Sequence, residues 1–132
     1  MDVLANIAGQ GSLGALEEFS SGQIRQQFEV NFFSVLEMTR GILPIMRQQK
    51  SGHILNLTSI SGLASVGGFA LYCATKFAVE GFAEALRDEV SPLGIQVTLV
   101  EPGAFRTEFA GASNMRPESA INDYKPVIEP IQ

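Results

Sequence analysis

Apolar residues along this chain gather in three short dense runs, with two longer stretches of helical period between them. Asp2-Val3-Leu4-Ala5, His53-Ile54-Leu55-Asn56-Leu57 and Ile95-Gln96-Val97-Thr98-Leu99-Val100 read as buried-type strands. From about Gly22 to Gln49, Val35, Thr39, Ile42, Leu43 and Met46 keep a 3.6-residue period, which predicts one long helix. Pro44 is expected to bend it and Ser51-Gly52 to stop it. A second long helix is predicted from about Ala70 to Ser91, ended by Pro92-Leu93-Gly94. Val79, Phe82, Ala83, Leu86 and Val90 form one apolar stripe on it, and Ala74, Ala78, Gly81 and Ala85 a second stripe of small residues. A helix apolar on two sides is covered on two sides. Its expected neighbours are its own sheet and either a partner subunit or the first long helix. Strand–helix–strand–helix–strand order predicts a parallel sheet with helical crossovers. Gly62 to Gly68 reads as loop, and beyond Phe105 the prolines at 117, 126 and 130 break any long element.

Composition narrows the class. A chain of 132 residues with 45% hydrophobic and 17% charged residues is expected to be one globular domain. The net charge of -5, with no basic cluster, argues against nucleic acid and against anionic membranes. Cys73 and His53 are single, so no internal disulfide and no metal site are expected. Cys73 reads as a small buried hydrophobe and His53 as a surface residue. No signal peptide and no apolar run of transmembrane length is legible, which makes a cytoplasmic setting the expectation.

Candidate chemistry lies in the loops and at the start of the second helix. Gly9-Gln10-Gly11-Ser12-Leu13-Gly14 fits G-x-G-x-x-G after a strand. That fingerprint needs a helix to begin there, so that free N–H groups point at a pyrophosphate. Here Glu17 and Glu18 follow Leu16 and would repel phosphates, and Ser20-Ser21-Gly22 signals a loop or N-cap, so the fit is rejected. Tyr72 and Lys76, four apart, share one helix face. A free phenol has a pKa of about 10, and an ammonium roughly 4 Å away favours its ionised form by up to ~4 kcal/mol at an effective dielectric of 20. Such a pair is suited to passing a proton near neutral pH. The spacing alone is a common accident; its surroundings give it weight. Asn31 lies between Val30 and Phe32 on the apolar side of the first long helix. A buried amide must find partners or cost about 1–3 kcal/mol. It is read as holding a local helix distortion or as ordering a water in a site. Ser59 and Ser61 fall just past the second strand, where ligands bind in open α/β sheets, although serines there also simply form turns. No Gly-x-Ser-x-Gly elbow surrounds either one, which disfavours a serine hydrolase.

In order and in spacing, these motifs resemble those of the classical short-chain dehydrogenase/reductase family over residues 1 to about 110. Asn6-Ile7-Ala8-Gly9 resembles the family's Asn-Asn-Ala-Gly segment after the fourth strand, with Ile7 in place of the second Asn. Val30-Asn31 resembles its active-site asparagine segment, and Ser59 precedes Tyr72 by the usual thirteen residues. Tyr72 and Lys76 match Tyr-x-x-x-Lys, and Pro102-Gly103 through Thr107 resembles the segment that holds the nicotinamide carboxamide.

The resemblance implies roles by position. Tyr72 is then the general acid in reduction and the base in oxidation, and Lys76 lowers its pKa and hydrogen-bonds the nicotinamide ribose. Ser59 orients the substrate carbonyl or hydroxyl, and Asn31 holds a water that links Lys76 to solvent. Asn6, Ala8 and Gly9 line the adenosine side of NAD or NADP, with NADP slightly favoured; Pro102, Gly103, Phe105 and Thr107 line the nicotinamide side. Ser61 is assigned no catalytic role.

The family's glycine-rich phosphate loop and its first strands have no counterpart here. The implied fold is therefore α/β, a partial Rossmann-like (doubly wound) parallel sheet of three strands with crossover helices. Residues 1–110 would be the C-terminal part of an NAD(P)-binding domain, and 111–132 an irregular, substrate-loop-like tail. The implied function is hydride transfer between NAD(P)(H) and a carbonyl or secondary alcohol, with little or no activity expected of this chain alone. The alternative is a non-enzymatic remnant, or a dimerisation or binding module that associates through the 22–49 and 70–91 helices.

Overall fold

The computed structural model describes residues 2–6, 9–57, 66–100 and 115–131. Its three strands are β1 (Val3–Asn6), β2 (Gly52–Leu57) and β3 (Ile95–Val100). All pairings are parallel, in the order β1-β2-β3, with Leu4 opposite Ile54 and Ile54 opposite Val97. Strands in parallel register cannot be joined by hairpins and need crossovers. Here α1 (Ser21–Phe28) and α2 (Ser34–Gln49) lie between β1 and β2, and α3 (Ala70–Val90) lies between β2 and β3. One face of the sheet carries the core. Leu4, Ile54, Ile95 and Val97 from the strands meet Ile42 and Met46 from α2 and Ala83, Leu86 and Val90 from α3. The alternate positions of the outer strands face outward: Val3 is 51% exposed and Val100 42%. Among the described residues no helix is long and apolar enough to cross a membrane.

The first long helix departs from its predicted form. A π-helical turn over Glu29–Phe33 joins α1 to α2, so the 22–49 helix is not uniform. The buried positions along it explain why. Gln23, Gln27, Asn31, Val35 and Thr39 are all buried, a run of four four-residue steps, before Ile42 and Met46 follow. At 3.6 residues per turn each such step overshoots a full turn by about 40°, so four would carry the last side chain roughly 160° around a regular helix. One extra residue in a π turn resets the face. Pro44 sits inside α2, which runs unbroken through it.

Two further expectations are corrected. His53 is not a surface residue. It is half-buried in β2, with its Nε2 2.7 Å from Thr98 Oγ1 on β3. The tail is not irregular throughout. Asn122–Tyr124, α4 (Lys125–Ile128) and Glu129–Ile131 form consecutive helical turns. Pro126 lies in the first turn of α4, where a missing N–H costs no helical hydrogen bond.

The tail is also pinned to the loop after β1. Glu18, 6% exposed, accepts the Ala15 N–H at 3.0 Å on Oε1 and the Ile121 N–H at 2.7 Å on Oε2. Gln23 accepts the Glu118 N–H at 3.1 Å and donates to the Arg116 carbonyl at 2.7 Å. Ser12 pairs with Met115 in an isolated parallel bridge. No helix begins at Gly9–Gly14; the first helical turn after β1 is Leu16–Glu18. The geometry agrees with rejecting a phosphate loop there.

Candidate active site

Three segments converge beyond the carboxyl end of β1: the chain at Gly9-Gln10, the π turn, and the first two turns of α3. Tyr72 and Lys76 lie one turn apart on α3, at 5% and 6% exposure. The Lys76 Nζ stands over the Tyr72 ring, 5.6 Å from its centroid, a cation–π distance. Burial strips water from the amine and holds its pKa below the ordinary lysine range.

Asn31, 1% exposed, uses both ends of its carboxamide. Its Oδ1 accepts the Gln10 N–H at 2.7 Å, and its Nδ2 donates to the Gln10 carbonyl at 2.8 Å and to Thr75 Oγ1 at 3.1 Å. Gln27, fully buried one turn earlier, donates its Nε2 to the same Gln10 carbonyl at 2.6 Å. Thr75 Oγ1 in turn donates to the Tyr72 carbonyl at 2.7 Å. The π turn is thus tied at once to the loop after β1 and to the turn of α3 that carries Tyr72. The sequence offered two readings of Asn31, and the distortion is present with the asparagine inside it.

Gly9 marks the meeting point. A Cβ at this position would stand 3.4 Å from Lys76 Nζ and 3.5 Å from Asn31 Oδ1. An amine and an amide oxygen therefore both border Gly9.

Of the sequence-nominated residues, Gly9, Asn31, Tyr72 and Lys76 come together. Asn6 does not join them through its side chain. Its Nδ2 donates to Asn56 Oδ1 at 2.7 Å and to Thr39 Oγ1 at 3.4 Å, in the buried layer between sheet and α2. Ala8, Ser59, Ser61, Pro102, Gly103, Phe105 and Thr107 lie outside the described residues. Gln10, Gln27 and Thr75 were not nominated from the sequence. Gln27 and Asn31 did carry a signal, two amides spaced i, i+4 on a helix side that buries its residues.

A model of the short chain dehydrogenase family matches residues 1–118. The chain is 43% identical over 123 residues to a 3-ketodihydrosphingosine reductase of Bacteroides thetaiotaomicron, covering 93% of this chain and 46% of that protein. Its fold is similar to a crystal structure of a short-chain dehydrogenase from Streptomyces avermitilis. The TM-score is 0.88 at 42% identity, over 98% of this chain and 49% of the other. A gluconate 5-dehydrogenase from Burkholderia cenocepacia, in complex with NADP and tartrate, superposes with a TM-score of 0.80 at 28% identity, over 85% of this chain and 44% of the other. The chain spans about half the length of the curated relatives it matches.

Proposed function

This chain belongs to the short-chain dehydrogenase family, and we propose that it carries the proton-transfer half of an oxidoreductase that interconverts a carbonyl and a secondary alcohol. The observation that carries the reading is the Lys76 amine, buried over the Tyr72 ring and facing Gly9 and Asn31. In this reading the Tyr72 hydroxyl gives its proton to the carbonyl oxygen in reduction and takes it back in oxidation. The Lys76 amine supplies positive charge beside the phenol, where low dielectric strengthens its effect. Asn31, held by three hydrogen bonds to Gln10 and Thr75, is a fixed dipole that needs no reorganisation during the reaction. Ser59 is assigned the orientation of the substrate oxygen on the family pattern.

The residues present fit one end of a nicotinamide cofactor. The Lys76 amine, which borders Gly9 together with Asn31 Oδ1, is a donor suited to a ribose hydroxyl. The phosphate end has no comparable fit among the described residues. The Gly9–Gly14 stretch opens no helix, and the Glu18 carboxylate is buried a few residues on. The cofactor, when bound, supplies or accepts the hydride. NADP is slightly favoured over NAD, and relatives in this family have been solved with NADP.

The test joins this chain to the portion of the Streptomyces avermitilis relative that precedes the matched segment. The chimera is assayed with NADPH and NADH against a panel of ketones and aldehydes. It is expected to oxidise a reduced cofactor with at least one carbonyl, while the isolated 132-residue chain shows little or no turnover. A folded chimera that binds dinucleotide and turns over no carbonyl or alcohol would overturn the oxidoreductase reading. Turnover by the isolated chain, abolished by Tyr72→Phe, would overturn the half-site reading.

A further inference from the structure

We propose that Thr75 is a positioning residue of the site: its hydroxyl locks the Asn31 carboxamide onto the first turns of α3 and so fixes where the Lys76 amine stands relative to Tyr72. The proposal rests on the proton-transfer reading above for its functional meaning, and on geometry for everything else.

Thr75 is fully buried, and its Oγ1 is used twice. It donates to the Tyr72 carbonyl at 2.7 Å and accepts from Asn31 Nδ2 at 3.1 Å. A threonine hydroxyl has one proton to give, so donation inside α3 leaves its lone pairs for the π turn. The first bond, to a carbonyl three residues back, is a common local pattern of helical threonine and by itself says little. The second bond spans 44 residues of chain and joins two elements that each contribute a site residue. Through it the Asn31 carboxamide is hydrogen-bonded to α3, while its other bonds go to the loop after β1.

Removing the hydroxyl leaves one Asn31 N–H without its acceptor in a buried place. The carboxamide then keeps only its bonds to the Gln10 backbone. Lys76 Nζ and Asn31 Oδ1 both border Gly9, and Lys76 follows Thr75 directly on α3, so loosening Asn31 changes the surroundings of the amine. Lys76 Nζ borders Gly9 on one side and stands over the Tyr72 ring on the other, with buried Glu80 one turn further along α3. Thr75 thus acts through Asn31 and through the Tyr72 backbone, and touches neither substrate nor hydride.

Three variants of the full chain separate this role from packing. Thr75→Val keeps the shape and removes the hydroxyl. Thr75→Ser keeps the hydroxyl and removes a methyl group. Thr75→Ala removes both and replaces the valine variant if that one does not fold. The chain has three lysines, at 50, 76 and 125, so carbon-13 labelling at the lysine Cε gives three resonances whose pH titrations are followed by NMR. Exchange of the Gln10 amide, which donates to Asn31 Oδ1, is read on the same samples.

In Thr75→Val the Lys76 titration is expected to move toward the ordinary lysine midpoint, and Gln10 exchange to rise by about tenfold or more. Thr75→Ser is expected to restore both to wild-type behaviour. Wild-type titration of Lys76 in the hydroxyl-free variant, or a serine variant that behaves like valine, overturns the proposal. Neither result depends on cofactor or turnover, so failure here and failure of the oxidoreductase reading are read from different measurements.

Discussion

Tyr72→Phe in the chimera is expected to lower kcat by about 10³-fold, within the usual range for loss of a general acid or base. The phenylalanine ring still fills the space under Lys76, since the contact there is with the ring centroid. Tyr72 is 5% exposed and packs in the first turn of α3, so the ring is a core element as well as a reactive one. KM is therefore expected to change by no more than a few-fold. A fall in kcat at nearly constant KM marks an interaction made in the transition state. The loss corresponds to about 4 kcal/mol of barrier, more than one neutral hydrogen bond contributes. Steady-state kinetics at saturating cofactor read the effect. Retention of more than about a tenth of the wild-type kcat would remove Tyr72 from the proton-transfer role.

Gly94→Ala is expected to be the most destabilising glycine-to-alanine change among the described residues. Gly94 closes the turn between α3 and β3 at φ +80, in the left-handed region. An added Cβ there would strike the carbonyl oxygen of Lys50, a backbone atom. Lys50 is itself left-handed at φ 58, where it caps α2, and its N–H returns to the Arg47 carbonyl. The two turns that lead into β2 and β3 therefore touch, just outside the pairing of Gly52 with Ile95. A left-handed alanine costs about 1–2 kcal/mol, and displacing a backbone carbonyl adds to it, for a total of about 3 kcal/mol or more. Gly81→Ala is the control. Nothing lies within 4 Å of its added Cβ, and alanine within an exposed helix is expected to stabilise by roughly 0.5–1 kcal/mol. Urea unfolding of both variants measures the difference. Similar midpoints would mean that the two turns are not packed as described.

Most of the architecture was legible because the strands are short apolar runs and α3 keeps its period from Val79 to Val90. The π turn was not. It is recorded in a repeated four-residue spacing of buried residues, two of them glutamines, and a hydrophobic-period reading does not count glutamine as core. The helical turns after Ile121 were hidden for a related reason. Three prolines over fourteen residues look like breakers, yet Pro126 stands in a first turn, where proline is tolerated.

In the site, Tyr72, Lys76 and Asn31 were legible from spacing and sequence context. Gln10, Gln27 and Thr75 were not, since each acts through a hydrogen bond to a residue 17 to 44 positions away. Asn6, the last residue of β1, was nominated for the adenosine side by the family resemblance. Its side chain alternates to the covered face and pairs with Asn56. A strand of only four residues gives too little pattern to settle which face an asparagine takes.

Withdrawal of the Lys76 amine from water into this cluster underlies every role assigned to the site, and urea unfolding at two pH values tests it directly. Burial depresses the proton affinity of Lys76 in the folded chain below the ordinary lysine value of 10.5. Between the folded midpoint and 10.5 the unfolded chain binds more protons, so this group makes stability rise with pH across that window. Below the folded midpoint the folded chain carries the whole cost of a buried ammonium. Lys76→Met lacks the titrating group and is expected to be more stable than wild type at pH 7, on the order of 1 kcal/mol, as substitutions that relieve a functional site commonly are. That advantage is predicted to shrink as the pH approaches 10.5. A gap of the same size at both pH values, or a wild type more stable than the variant at pH 7, would contradict it.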